Sequence, residues 1–215
     1  TQPAIFLISY SIFQVAIKEF NLNLNKAKFF AGHSLGEYSA LSSAGYLDFS
    51  DTIKLLRARG VAMQTAVPEG EGGMVAVLGS NIEIVEKILQ DNQSNFDVQI
   101  ANDNSEGQIV LSGKLNDLEK LIEICKSKKI KNIKLPVSAP FHCKLMNKAT
   151  LIMKKEIDKM EFKDSNRKLI SNVTAEEISN KDELKKLLIE QIENKVRWRE
   201  SIMNMINKGV DHFIE

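Results

Sequence analysis

A chain of 215 residues, 43% of them apolar, carries enough hydrophobic mass for one large domain or two small ones. Its 29 basic and 28 acidic side chains leave a net charge of +1, with no basic stripe interleaved by aromatics, which argues against an electrostatically driven nucleic-acid binder. No apolar run reaches membrane-spanning length, no basic segment precedes a signal-like core, and Cys125 and Cys143 form no disulfide framework or metal-ligand cluster, so a reducing, soluble compartment is expected.

From Pro3 to Phe20 the pattern PAIFLISYSIFQVAIKEF is apolar on nearly every face and predicts a buried helix. Phe29 to Ala31 reads as a short strand, followed by a helix to about Tyr46. A second helix opens at Phe49-Ser50-Asp51, with Ser50 or Asp51 as its cap, and runs through Val67. Pro68 to Gly73, with three glycines, reads as the most flexible stretch and a natural boundary.

Beyond that boundary the pattern changes. Met74–Gly79 is a predicted strand and Asn81–Asp91 an amphipathic helix. DVQIAN and GQIVLSG are strands separated by a turn at Asp103-Asn104-Ser105-Glu106, LNDLEKLIEICKSK is an amphipathic helix, and IKNIKLPV closes the set. That β-α-β-β-α-β order is the ferredoxin-like unit. Helix resumes from Pro140, a strand lies near Lys168–Ser171, helices follow around Lys181–Glu193 and Trp198–Asn207, and His212–Glu215 reads as the start of a strand. The expected fold class is therefore α/β, a larger domain over 1–70 and 136–215 with a small unit inserted at 71–135.

The stretch AGHSLGEYSA places Ser34 in a G-x-S-x-G between strand and helix, the pattern of a nucleophile elbow. There the glycines relieve crowding and the helix N-terminus aims N–H groups at the reacting oxygen. A plain helix cap is the alternative role for Ser34. A nucleophilic serine needs a base, and three histidines exist. His33 adjoins the nucleophile and reads as structural or as a supporting donor, and His212 as terminal packing. His142, at a strand–helix junction in VSAPFHC, is the best-placed base. Cys143 beside it has no feature that would activate a thiolate. Arg57 and Arg59 lie on different faces of one helix, so at most one faces a site; Gly60 beside Arg59 permits close packing, and guanidinium suits carboxylate recognition. By sequence physics alone both arginines read as solvated charges.

GHSLGEY, RARGVAMQ, NDNSEGQIVLSG, LPVSAPFHC and QIENKVRW, in that order, resemble the malonyl-CoA:acyl-carrier-protein transacylase family of bacterial-type fatty acid synthesis, to which polyketide acyltransferase domains are related. The resemblance implies a hydrolase-like α/β domain with an inserted ferredoxin-like subdomain. It implies Ser34 as the acylated serine, His142 as its base, and Arg59 as the grip on the malonyl carboxylate. Gln191 would orient the histidine through its backbone carbonyl, and the Leu35 N–H would serve as an oxyanion donor. Asn102, Asn104 and Gln108 match a subdomain loop near the coenzyme A entrance.

The family's G-Q-G-x-Q loop has no counterpart ahead of Thr1 and its closing Gly-Pro-Gly turn none after Glu215, so the resemblance implies truncation at both ends; Lys195 stands where the family commonly has proline. The implied partners are acyl-carrier protein and a coenzyme A thioester, with malonyl-CoA a substrate and no cofactor or metal, in a cytoplasmic monomer with no nucleic-acid or membrane partner. Lys126, Lys128, Lys129 and Lys131 are candidate contacts for an acidic carrier. A thioesterase- or lipase-type serine hydrolase and a non-catalytic scaffold are the competing readings. A hydrolase would normally keep an acid on its histidine.

Overall fold

A computed structural model describes residues 1–137 and 139–215; Ser138, in the segment leading to His142, lies outside the described residues. The elements form an α/β fold in which helices dominate both ends of the chain and an antiparallel sheet occupies its middle.

Helix α1 (Gln2–Lys18) forms where the apolar run predicts it, but it is not buried all round. Phe6 is fully buried, stacked on Phe49 at 5.2 Å between ring centroids. Ile5, Leu7, Ile8, Ile12 and Val15 are exposed. The reason is geometric: α1 packs along α2 (Leu35–Ala44) and α3 (Phe49–Thr65) on one side. An apolar run shows that a helix favours cover, not that the neighbouring elements supply it on every face.

Helix α2 ends at Gly45 in the left-handed conformation (φ 88°), a backbone state that glycine adopts without a Cβ penalty. Helix α3 begins at Phe49 as expected, but its cap lies two residues before Ser50. Asp48 occupies the cap, its carbonyl accepting from Thr52 N–H at 2.9 Å, so Ser50 and Asp51 are already inside the helix.

The expected boundary at Pro68–Gly73 is only partly a loop. Gly72 and Gly73 are buried in strand β1 (Gly72–Leu78). A Cβ on Gly72 would stand 2.5 Å from the Pro140 ring, and one on Gly73 would stand 2.8 Å from Leu115. These glycines permit close packing and do not confer freedom.

From β1 the chain continues through α4 (Ile82–Asp91), β2 (Val98–Ser105), β3 (Gln108–Lys114), α5 (Leu115–Ser127) and β4 (Lys131–Lys134). The sheet order is β2-β3-β1-β4, antiparallel at every pairing. Strand alternation divides its side chains between two faces. Val75, Val77, Ile109 and Leu111 lie under α4 and α5 with Val85, Ile88, Leu118 and Leu121. Met74, Ala76, Ala101 and Val110 face the other way, against Phe141. Strand β2 runs through Asp103, Asn104 and Ser105, where a turn was expected; the turn is Glu106-Gly107.

In the rest of the chain, a single 3₁₀ turn at Lys144–Met146 precedes α6 (Asn147–Asp158), so helix begins later than Pro140. Strands β5 (Leu169–Ile170) and β6 (Glu177–Ile178) pair antiparallel, and α7 (Lys181–Glu190) and α8 (Trp198–Asn207) follow. The expected strand at Phe29–Ala31 contracts to one parallel bridge, Phe30 to Leu169, because the chain turns into the elbow immediately afterwards. His212–Glu215 is exposed and irregular, so neither the expected terminal strand nor a packing role for His212 is found.

The sheet is tied to the rest of the chain at Val196. Its N–H donates to Ala101 C=O (2.8 Å) and its C=O accepts from Asp103 N–H (2.9 Å). Arg199 closes a fork on the fully buried Asp103, with Nη2 2.8 Å and Nε 3.1 Å from the carboxylate.

Candidate active site

The site begins at the elbow. Gly32 lies so close to the start of α2 that a Cβ there would sit 2.0 Å from Gly36 O. Only glycine fits. Gly36, the second glycine of the motif, has open space around its Cβ position, so the crowding expected at both glycines exists at one. Ser34 is held at φ 54°, ψ −109°, half-buried. His142 is also at positive φ (57°). Left-handed backbone at a non-glycine residue costs about 1–3 kcal/mol, so packing and hydrogen bonds must hold both residues there.

They are brought together. Ser34 Oγ and His142 Nε2 are 2.8 Å apart, and His142 Nδ1 donates to Gln191 C=O at 2.8 Å. This fixes the tautomer: with Nδ1 carrying the proton, Nε2 is free to accept from the serine. The orienting group is a neutral carbonyl, and the one that the resemblance implied. Burial, helped by the positive charge of Arg59, pushes His142 down to about 3, so its imidazole is neutral through the physiological range.

Arg59 is fully buried and not a solvated helix charge. Its Nη2 donates to Ser34 Oγ (3.0 Å) and Gln191 Oε1 (2.9 Å), and Nη1 donates to Gln2 Oε1 (2.8 Å). The guanidinium lies over the Tyr38 ring at 5.5 Å, and its Nε has no hydrogen-bond partner among the described residues. A buried cation thus converges on the nucleophile's oxygen with no carboxylate in contact among the described residues, a state that favours an incoming anion. Arg57 lies on the other face, beside the groove between α3 and α6. Gly60 does not admit an unusually close neighbour; a Cβ there would stand 3.8 Å from the Gln2 side chain, an ordinary contact.

Leu35 is the first residue of α2, where a helix leaves its N–H groups without internal partners. Its N–H therefore stands beside Ser34 at the positive end of the helix dipole. His33 is part-buried, with Nε2 2.8 Å from Asn104 Oδ1 and its ring edge-on to Trp198, which agrees with a supporting role. Of the three residues expected in an entrance loop, all are in strands. Asn104 reaches the elbow through His33, Asn102 is buried at the Val196 bridge, and Gln108 is exposed at the start of β3. Cys143 is buried, which raises its thiol, as expected of a non-nucleophile.

Three contributors were not foreseen. Asn172, just past β5, accepts from Ser34 N–H with Oδ1 (2.7 Å) and donates to Gly32 C=O with Nδ2 (2.9 Å), pinning the elbow from below. Glu37, buried in the first turn of α2, accepts from Gln191 Nε2 (2.6 Å) and Asn172 N–H (3.3 Å). Burial pushes its carboxyl up to about 7 against the hydrogen bonds from Gln191 and Asn172 and the charge of Arg59. Gln2 is the third. Gln2 and Asn172 lie outside the quoted motifs; Glu37 lies within GHSLGEY, but an acid in a helix's first turn reads as a dipole-favoured surface charge. Among the described residues no group of three or more His, Cys, Asp or Glu is placed to hold a metal, and no helix is long and apolar enough to cross a membrane.

Comparison with known proteins places the chain in a family. The family model for the acyl transferase domain matches residues 1–215. The chain is 42% identical over 217 residues to the malonyl CoA-acyl carrier protein transacylase of Bacillus subtilis, covering all of this chain and 67% of that protein. The crystal structure of an acyl-carrier-protein S-malonyltransferase from Bartonella henselae superposes with a TM-score of 0.93 at 42% identity, over 98% of this chain and 67% of that one. A type II polyketide acyl-carrier protein in complex with its malonyl-transacylase contains a chain matched with a TM-score of 0.91 at 34% identity, over 98% of this chain and 67% of that one. The chain thus spans about two thirds of the length of the relatives it matches.

Proposed function

The chain belongs to the acyl transferase family, and we propose that it transfers a malonyl group from malonyl-CoA to an acyl-carrier protein through a malonyl-serine at Ser34, for fatty acid chain elongation. The observation that carries the reading is the buried Arg59 guanidinium, 3.0 Å from the oxygen of a serine that is itself 2.8 Å from a neutral histidine.

In the first half-reaction His142 Nε2 takes the Ser34 Oγ proton as the oxygen attacks the thioester carbonyl. The Leu35 N–H meets the developing oxyanion. Collapse expels the coenzyme A thiolate, which takes the proton back from His142, leaving the malonyl ester on Ser34. The carrier's thiol then attacks that ester, with His142 again as base, and Ser34 is restored. Arg59 pairs with the malonyl carboxylate throughout. The carbonyl of Gln191 on His142 Nδ1, in place of an acid, speaks against a lipase-type hydrolase.

We take the β1–β4 unit, residues 71–135, as a ferredoxin-like subdomain inserted in a hydrolase-like domain formed by 1–70 and 136–215. The sheet order and the separate core under α4 and α5 support this division. We assign a cytoplasmic monomer that uses no cofactor and meets its carrier at the exposed lysines around Lys126 and Lys131. Incubation with malonyl-CoA followed by mass spectrometry should show one malonyl mass on Ser34, lost on adding acyl-carrier protein and absent from Ser34→Ala. Label elsewhere with Ser34 untouched would overturn the assignment.

A further inference from the structure

The side chain of Gln191 sits between the two halves of the proposed site. Its Oε1 accepts from Arg59, while its Nε2 faces three acceptors: Glu37 Oε2 at 2.6 Å, Ser34 C=O at 3.0 Å and Asn172 Oδ1 at 3.3 Å. An amide turned over by half a revolution would put its oxygen against those three acceptors and its NH₂ against a guanidinium that can only donate. The orientation is therefore enforced at both ends, by the donor-only Arg59 on the Oε1 side and by three acceptors on the Nε2 side. The shortest of the three contacts is to Glu37, the only ionisable group among them. Gln191 and Glu37 are both buried, so water does not substitute for a lost partner.

We propose that Glu37 is a positioning residue for malonyl recognition: its carboxylate locks the Gln191 amide so that Oε1 holds Arg59 Nη2 beside Ser34. The inference rests on the malonyl-transfer reading above and adds a residue to it. Glu37 touches neither Ser34 Oγ nor His142; its contact with Asn172 N–H (3.3 Å) is much longer than that with Gln191 (2.6 Å), so its effect travels chiefly through Gln191 to Arg59. The charged or titratable groups coupled to it are Arg59 from α3 and Tyr38 from α2. Arg59 is the one whose placement depends on the amide that Glu37 holds.

The role predicts a difference between position and charge. Glu37→Asp keeps the charge but withdraws the oxygens by one methylene, and should let the amide and the guanidinium drift. Glu37→Gln discards the charge but leaves an acceptor oxygen in place, and should rescue. Rates of Ser34 acylation are measured with malonyl-CoA and acetyl-CoA for wild type and both variants. Glu37→Asp should lose about 10–100-fold in kcat/KM for malonyl-CoA, the scale of an ångström-sized misplacement of a recognition group. It should lose under about threefold with acetyl-CoA, which has no carboxylate to meet Arg59.

Glu37→Gln should keep its malonyl-to-acetyl ratio within about threefold of wild type, since the acceptor geometry survives. Equal losses on both thioesters in Glu37→Asp would mean a purely structural role and overturn the proposal. So would a Glu37→Gln variant as unselective as Glu37→Asp, because charge and not acceptor geometry would then be responsible. Wild type that never acylates with malonyl-CoA would instead refute the functional reading on which the proposal rests.

Discussion

The β1–β4 unit and the elements around Ser34 are held together by different means. In the unit, two amphipathic helices close one face of a four-stranded sheet, and its core is aliphatic apart from Phe96 and Cys125. Around Ser34, regular pairing is scant, and Glu37, Arg59, Asn172, Gln191 and His142 are buried together, each hydrogen-bonded to another member. The first region is specified by apolar periodicity. The second is specified by donors and acceptors that must match one to one, which stores specificity in the chemistry and leaves little tolerance for a single wrong atom.

Breaking the polar region should be felt first in activity. Arg59→Ala should erase the preference for malonyl over acetyl thioesters, a discrimination that can reach about 10⁴-fold where a buried polar group must be matched. Arg59→Lys should recover little, because an ammonium cannot span Ser34, Gln191 and Gln2 as the planar fork does. The ratio of kcat/KM values for malonyl-CoA and acetyl-CoA checks this; an unchanged ratio in Arg59→Ala would leave the carboxylate without a partner.

Breaking the aliphatic region should be felt first in stability. Leu111 is fully buried in β3, and Leu111→Ala should cost about 2–5 kcal/mol in denaturant unfolding, with the malonyl-to-acetyl ratio intact in the fraction that remains folded. A change in that ratio would mean that the two regions are not energetically separable.

A third test separates the titrating groups within the polar region. Glu37 is raised from 4.5 to about 7, so between those values the folded chain binds more protons than the unfolded one, and stability falls as pH rises. His142 is lowered from 6.5 to about 3; its contribution is present above 6.5 and lost as pH falls toward 3. Glu37→Gln removes the first effect alone. Its Tm should therefore gain on wild type between pH 4.5 and pH 7, up to about 3 kcal/mol in stability, and a constant gap would place the carboxyl in a better-solvated environment. The smallest expected effect is at the exposed lysines. Glutamate at Lys128 and Lys129 should slow transfer to an acidic carrier several-fold at low salt and hardly at all at high salt, the signature of a rim charge.

These contrasts also explain what could be read from the sequence. The order of strands and helices in the β1–β4 unit, α4 and α5 above all, follows from alternation and helical spacing, and Ser34 and His142 were legible from the elbow and from the shortage of histidines. Arg59 was not legible by physics, since a helix arginine two residues from another looks solvated; the resemblance supplied its role. Asn172 had no signal, and Glu37, although inside GHSLGEY, had none that pointed to its role, because that role arises only where β5, α2 and α7 converge. For α1 the apolar run announced burial, and the structure covers Phe6 but leaves Ile8 and Ile12 exposed. Periodicity reports what a segment would favour, whereas burial depends on its neighbours.

Pro140, two residues before the base, rests on Gly72 so closely that no side chain larger than hydrogen fits beneath it. Asn104, from the same sheet, reaches His33 next to the nucleophile. The middle unit therefore buttresses both ends of the Ser34–His142 pair, and it is not a cassette that could be excised or exchanged at will. Transplanting a foreign unit with the same topology would preserve the fold's outline and still misalign the dyad, unless the graft brought a glycine under the proline and an amide opposite the histidine.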